Sequence, residues 1–241
     1  MRTCALVLAT TIAAAGCGSG TSGVHWDDPA GDVKPFSNAP DRPRLDIVRV
    51  EAEGREGALR LRVKMKDDLG KFLGYTDAGG NKYGSVVAGF FIDTDNNPDT
   101  GGHPMFHENS KRPLRGYEYQ VSLQAGYRYK QGQATGTGTG DIVIDTAKYS
   151  DVEPIVSFFL NRLKQGSSAY DFEATRKLPA NARELAQKAT AIRGEWVETA
   201  VPYEWLGLKA GETIRLCFRE PAATSFKGED MSEDRTLKLG R

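Results

Sequence analysis

The clearest pattern along the chain has a period of two residues. Leu59, Leu61, Val63 and Met65 alternate with Arg60, Arg62, Lys64 and Lys66, which predicts a strand with one buried and one charged face. Just upstream, Val48, Val50 and Ala52 alternate with Arg49, Glu51 and Glu53, and Gly54-Arg55-Glu56-Gly57 supplies a turn between the two runs. Together they predict an antiparallel hairpin. Further strands are expected over 85–93, 117–124, 127–130, 141–145, 155–161, 170–175, 196–203 and 213–219, most of them bounded by Gly, Pro, Asn or Asp. Many short strands with little helical period point to an all-β fold, an antiparallel β-sandwich of jelly-roll or immunoglobulin type with about ten strands.

One segment departs from this pattern. Pro179 to Thr190 carries a proline, the capping candidate Asn181, and Ala182, Leu185, Ala186 and Ala189 on one side, which predicts one short inserted helix. The Gly-Thr run over 134–140 is too polar and too flexible to pack and is expected at a loop tip. With no internal repeat and no second composition regime, residues 24–241 are expected to form a single domain.

The first residues follow a different logic. Arg2 precedes an apolar stretch from Ala5 to Ala15 interrupted only by Thr10 and Thr11. Such a run is too short to span a bilayer and has the parts of a secretory signal. Ala14-Ala15-Gly16-Cys17 resembles the bacterial lipobox, with Ala14 where leucine is usual. That resemblance implies a signal peptide over 1–16 and an acylated Cys17, carrying palmitate-type chains, as the new N-terminus. An ordinary cleaved signal is the other reading. Residues 18–23, GSGTSG, have the composition of a flexible tether, so 17–23 would link the lipid to the domain. The expected location is the cell envelope, with the membrane as a partner through the lipid. Gly18 stands where an aspartate retention signal would be, which favours the outer membrane in a cell with two.

Charge narrows the partners. The 241 residues hold 32 Lys plus Arg against 32 Asp plus Glu, and without a basic excess a nucleic-acid partner is not expected. Of three cysteines, Cys4 leaves with the signal and Cys17 takes the lipid, so Cys217 is left alone. The domain must be held by its core, which a chain of this length can build.

Three separated patterns resemble the superfamily of β-sandwiches that includes family-9 carbohydrate-binding modules, the C-terminal domain of glucodextranase and the DOMON domains. They are WDDPAGD at 26–32 followed by Asp46; GFFIDTDNNPDTGG at 89–102 followed by GYEYQVSL at 116–123; and WVETAVPYEWLGL at 196–208 with GETIRLCFRE at 211–220. The resemblance implies a sandwich of about ten strands, and carbohydrate or haem binding for some members only. Function has to come from a site, since folds host many.

The sharpest candidate chemistry is the acidic turn Asp93, Asp95, Asn97 and Asp99, with an oxygen side chain at every second position. Calcium takes several oxygen ligands, and alternating Asp/Asn resembles half of a calcium loop. Pro98, the displaced Gly101 and the missing twelfth-position glutamate exclude an EF-hand. Asx side chains making local turn bonds would give the same pattern. Asp28, Asp32 and Asp46 form a second calcium candidate if the loop after Trp26 folds over the first strand. His103, Met105 and His107, next to Glu108, are the alternative, a transition-metal or haem set, although Pro104 prevents a helical arrangement and a bland exposed loop is the other reading.

Sugar binding needs exposed aromatic faces. Trp26 and Trp196 are the candidates for glycan stacking, whereas Tyr117 and Tyr119 share a face with Val121 and Leu123 and are expected in the core, and Trp205 is expected to plug an end of the sandwich. No G-x-S-x-G, H-E-x-x-H, P-loop or C-x-x-C is present, so catalysis is not expected. The leading expectation is a lipid-anchored, noncatalytic envelope protein that binds glycan or an envelope protein, with calcium stiffening its loops. A DOMON-like redox lipoprotein and a purely structural envelope component are the alternatives.

Overall fold

The computed structural model describes residues 22–31, 46–67, 69, 81–104, 114–129, 142–145, 152–175, 185, 190–219 and 232–241. Among them are eleven strands: β1 (Ser22–Asp27), β2 (Ile47–Arg55), β3 (Ala58–Met65), β4 (Asn81–Asp93), β5 (Tyr119–Tyr129), β6 (Ile142–Asp145), β7 (Val152–Arg162), β8 (Ala191–Arg193), β9 (Trp196–Pro202), β10 (Thr213–Arg219) and β11 (Arg235–Lys238). They form two antiparallel sheets. One runs β1-β2-β3-β9-β8, and the other runs β11-β10-β4-β5-β7 with β6 paired to the first residues of β4.

The expected hairpin forms. Arg55 pairs with Ala58, leaving Glu56 and Gly57 as a two-residue loop with φ of 52° and 72°. Positive φ at both positions is the type I′ geometry that matches strand twist, and glycine adopts it without strain. The alternation then sets the faces: Leu59, Leu61, Val63 and Met65 are buried. They meet Phe90, Ile92, Val121, Leu123, Ile214 and Leu216 from the second sheet in one core, sealed by Tyr203, Trp205 and Leu206 after β9. On the outer face of the first sheet, Asp27, Arg49, Glu51, Arg62 and Glu198 form a chain of ion pairs.

Around the end of β4 the second sheet is covered on both faces, which explains why Phe90, Phe91 and Ile92 are consecutive buried residues. Phe91 and Cys217 point away from the main core and pack with Leu114, Tyr117 and Leu163 in a smaller cluster, with Tyr170 against it. Tyr117 is buried as expected. It belongs to this outer cluster, however, because it precedes β5 and bridges Gly102, while Tyr119 packs on the main core.

Several expectations need correction. Residues 117–124 and 127–130 are not two strands, since β5 runs unbroken from Tyr119 to Tyr129 along β7. Residues 170–175 are not a strand: Phe172–Thr175 is a helical turn, α1, capped where Asp171 Oδ1 accepts the Ala174 N–H at 3.0 Å. The expected tether ends early, because Ser22 and Gly23 pair with Gly54 and Glu53 in β1; ladder bonds come from backbone and do not need a packing side chain. Except for Leu185 and Thr190, the segment read as an inserted helix lies outside the described residues, as do Cys17 and 134–140.

Candidate functional site

β4 ends at Asp93, on the outer face of the second sheet, directly opposite Arg215 of β10. Asp93 is fully buried, and Arg215 binds it through Nε at 2.8 Å and Nη2 at 2.7 Å, both to Oδ2. The same guanidinium reaches Asp234 through Nη1 at 3.0 Å and the Arg115 carbonyl at 2.7 Å, and lies 5.0 Å from the centre of the Tyr117 ring. Tyr117 donates to Asp234 at 2.6 Å and accepts from Cys217 Sγ at 3.2 Å. Burial holds the Tyr117 hydroxyl far above its ordinary pKa, with the neighbouring Cys217 and Asp234 adding to it. A closed polar network thus ties the acidic turn to β10 and to the chain before β11.

Beyond Asp93 the turn organises itself. The Asn97 N–H donates to Asp93 Oδ1 and to Asp95 Oδ1, the Asp99 N–H to Asn97 Oδ1, and the Thr100 hydroxyl to both Asp95 oxygens. Asp99 is exposed and paired with Arg115 at 3.3 Å. All four side chains therefore take part in the turn, as local Asx bonding predicts, and Asp93 and Asp95 in addition face Glu118, which sequence proximity does not reveal. Carboxylate oxygens of Asp93, Asp95 and Glu118 lie within 4.8 Å of one another.

Glu118 reaches this position because β5 pairs with β4, setting Tyr119 against Ile92 and donating the Glu118 N–H to the Ile92 carbonyl. Its Oε2 accepts the N–H and hydroxyl of Thr94 at 2.7 and 3.1 Å. Its Oε1 is buried without a hydrogen-bond partner. Burial pushes the Glu118 carboxyl up, opposed by the Thr94 N–H and reinforced by the carboxylates of Asp93 and Asp95. Burial likewise pushes Asp93 up, against the pull of Arg215. Three crowded carboxylates, two of them disfavoured as anions and one with an orphaned oxygen, suit a hard cation, with water completing its shell.

The turn also forms one wall of an open cleft of about 760 Å³. Asp95, Thr100 and Glu118 line it on this side, and Arg162, Gln165 and Phe172 line it from the end of β7 and from α1. The walls are stitched by backbone: Leu163 donates to the Glu118 carbonyl, Gly166 to Gly101 and His103 to Ser167, at 2.8, 2.8 and 3.2 Å. Gly101 is required here, with φ at 64°, and a Cβ on it would lie 2.6 Å from the Tyr117 carbonyl carbon and would strike Glu118 Oε1.

The remaining candidates fall elsewhere. Asp46 is buried, its Oδ2 accepting the Gly31 N–H at 2.8 Å and paired with Lys66 at 3.4 Å. Asp28 donates its backbone N–H to the Val48 carbonyl, and Asp32 lies outside the described residues. His103 Nδ1 sits 3.0 Å from the Pro104 carbonyl, while Met105 and His107 lie outside the described residues. Trp26 is corrected as a stacking residue: it is 5% exposed, its indole N–H bonded to the Glu233 carbonyl and its ring edge-on to Phe218. Trp196 is half-buried with the Arg62 guanidinium 4.2 Å over its ring, so the cation occupies a face a sugar would need.

The fold and site define an all-β sandwich with a carboxylate-walled cleft on one sheet. Comparison with protein-family models, with curated proteins and with solved structures gives no match.

Proposed function

We propose that this protein is a lipid-anchored, noncatalytic binding protein of the cell envelope, with glycan as its ligand and calcium stiffening the loops that form the site. The observation that carries the reading is the shared wall: Asp95 and Glu118 belong both to the carboxylate cluster and to the cleft. A cation held there would cancel the repulsion among the carboxylates and fix the wall against which a ligand rests. Asp93, Asp95 and Glu118 are the calcium ligands in this proposal. The anchor is Cys17, with the lipobox resemblance behind it, and carbohydrate binding is what the sandwich resemblance implies for some members.

The test uses the full chain expressed in a bacterium. Cys17→Ser should move the protein from the membrane fraction to the soluble one, and retention in membranes would refute the anchor. Calcium added to protein stripped with chelator should raise the melting temperature in wild type. No shift at millimolar calcium would remove the ion from the proposal, and release of new reducing ends from a bound glycan would refute the noncatalytic reading.

A further inference from the structure

Phe172 stands out among the described residues as a large apolar side chain 62% exposed at the lip of a cleft. It is not a frayed end. The Asp171 N–H donates to the Arg162 carbonyl at 2.8 Å, and Asp171 caps the turn that carries the ring. Tyr170 packs edge-on against Phe172, with ring centres 6.2 Å apart at 75°. Tyr170 in turn is fixed by donating its hydroxyl to Gln120 Oε1 at 2.9 Å. The backbone that carries the ring is therefore fixed and Tyr170 supports the ring from one side before any ligand arrives, which lowers the ordering cost of binding.

Around the ring, the cleft offers hydrogen-bonding groups of both signs. Asp95, Glu118, Asp171 and Glu173 are set against Arg162 and Lys164, and with calcium on Asp95 and Glu118 these lining charges balance. A pyranose presents an apolar face of C–H groups whose positive edges suit the negative face of an aromatic ring. Its hydroxyls donate well to carboxylates, and such charge-assisted bonds are the stronger kind. A uronate or sulfated sugar would find no net positive charge to hold it. The volume falls within the range of small-molecule sites.

We infer that the cleft between the acidic turn and α1 binds a neutral oligosaccharide stacked on Phe172. This rests on the glycan reading above and gives it a location and a substrate class. The full chain in detergent with calcium would be titrated calorimetrically with neutral trisaccharides of glucose, xylose, mannose and N-acetylglucosamine, with trigalacturonate, and with a short oligolysine peptide. At least one neutral trisaccharide should bind. Phe172→Ala should weaken that binding at least about tenfold, which is about 1.4 kcal/mol, Phe172→Trp should keep it, and Glu173→Gln should weaken it less. Circular dichroism should stay unchanged in all three, as expected of side chains at the surface. Sugar binding that survives Phe172→Ala would overturn the location and leave the glycan reading intact. Preference for trigalacturonate would overturn the neutral class. Binding of oligolysine alone, or no binding at all, would overturn both.

Discussion

Replacing Arg215 by methionine would expose how the acidic turn is held. Methionine keeps the length and packing of the side chain but removes the charge, and it leaves Asp93, which is 0% exposed, as a buried carboxylate with the Asn97 N–H but no ion-pair partner among the described residues. Arg215 itself is 15% exposed, so the pair is desolvated on both sides, and breaking such a pair by removing one partner costs roughly 3–5 kcal/mol. The lost bonds to Asp234 and to the Arg115 carbonyl act in the same direction. For a domain of this size the melting temperature should fall by about 6–20 °C. The deficit should depend on pH with a definite sign. Burial raises the Asp93 pKa in the folded state, so its ionised form weighs against folding at neutral pH. That penalty disappears as pH falls below the unfolded value near ~4. Urea denaturation should show the Arg215→Met deficit shrinking from pH 7 to pH 4. Adding Asp93→Asn should recover part of it, because the two positions couple directly. A deficit below about 1 kcal/mol, or one indifferent to pH, would refute this account of the turn.

Two further outcomes follow from the same geometry. Gly101→Ala combines a positive φ with a Cβ against the Tyr117 backbone, and should cost more than about 2 kcal/mol, read as a lowered urea midpoint; a neutral result would mean the wall is not rigid. Glu118→Gln removes one of three crowded carboxylates. Because the Glu118 pKa is raised in the fold, its charge opposes folding above that raised value and the opposition is lost as pH falls. Wild type in chelator should therefore gain stability relative to the glutamine variant as pH falls from 7 to about 4, the unfolded carboxyl range. The variant should also lose the melting shift caused by calcium, and an unchanged shift would exclude Glu118 as a ligand.

The sandwich was legible because period-two alternation survives wherever one face is buried and the other wet. The β2–β3 hairpin is the clearest instance, with Leu59 to Met65 inward and their basic neighbours paired outward. The same rule misread 170–175. Tyr170-Asp171-Phe172-Glu173 alternates in sequence, but Asp171 caps a helical turn, and the capping signal was present in the residue type. Periodicity also could not separate Tyr117 from Tyr119. Both are apolar positions of one alternating run, yet they pack against different clusters, because strand pairing begins only at Tyr119.

Half of the candidate site was local and half was not. Asp93 and Asp95 stood out because neighbouring residues share a turn. Arg215 and Glu118 are 122 and 25 positions from Asp93 and meet it only through the β10–β4 and β4–β5 registers. Residue type misled in the aromatic case for a related reason. Trp26 and Trp196 have the larger rings, but in a sandwich this size a tryptophan at a strand end has a core to enter, and Trp26 does so against Phe218. Phe172 is the poorer stacking residue by type and the better one by position, since the fold holds its backbone at the lip of a cleft and provides no core for the ring. What a binding surface needs is apolar area that folding fails to bury, and that is a property of the register and caps around a residue more than of the residue itself.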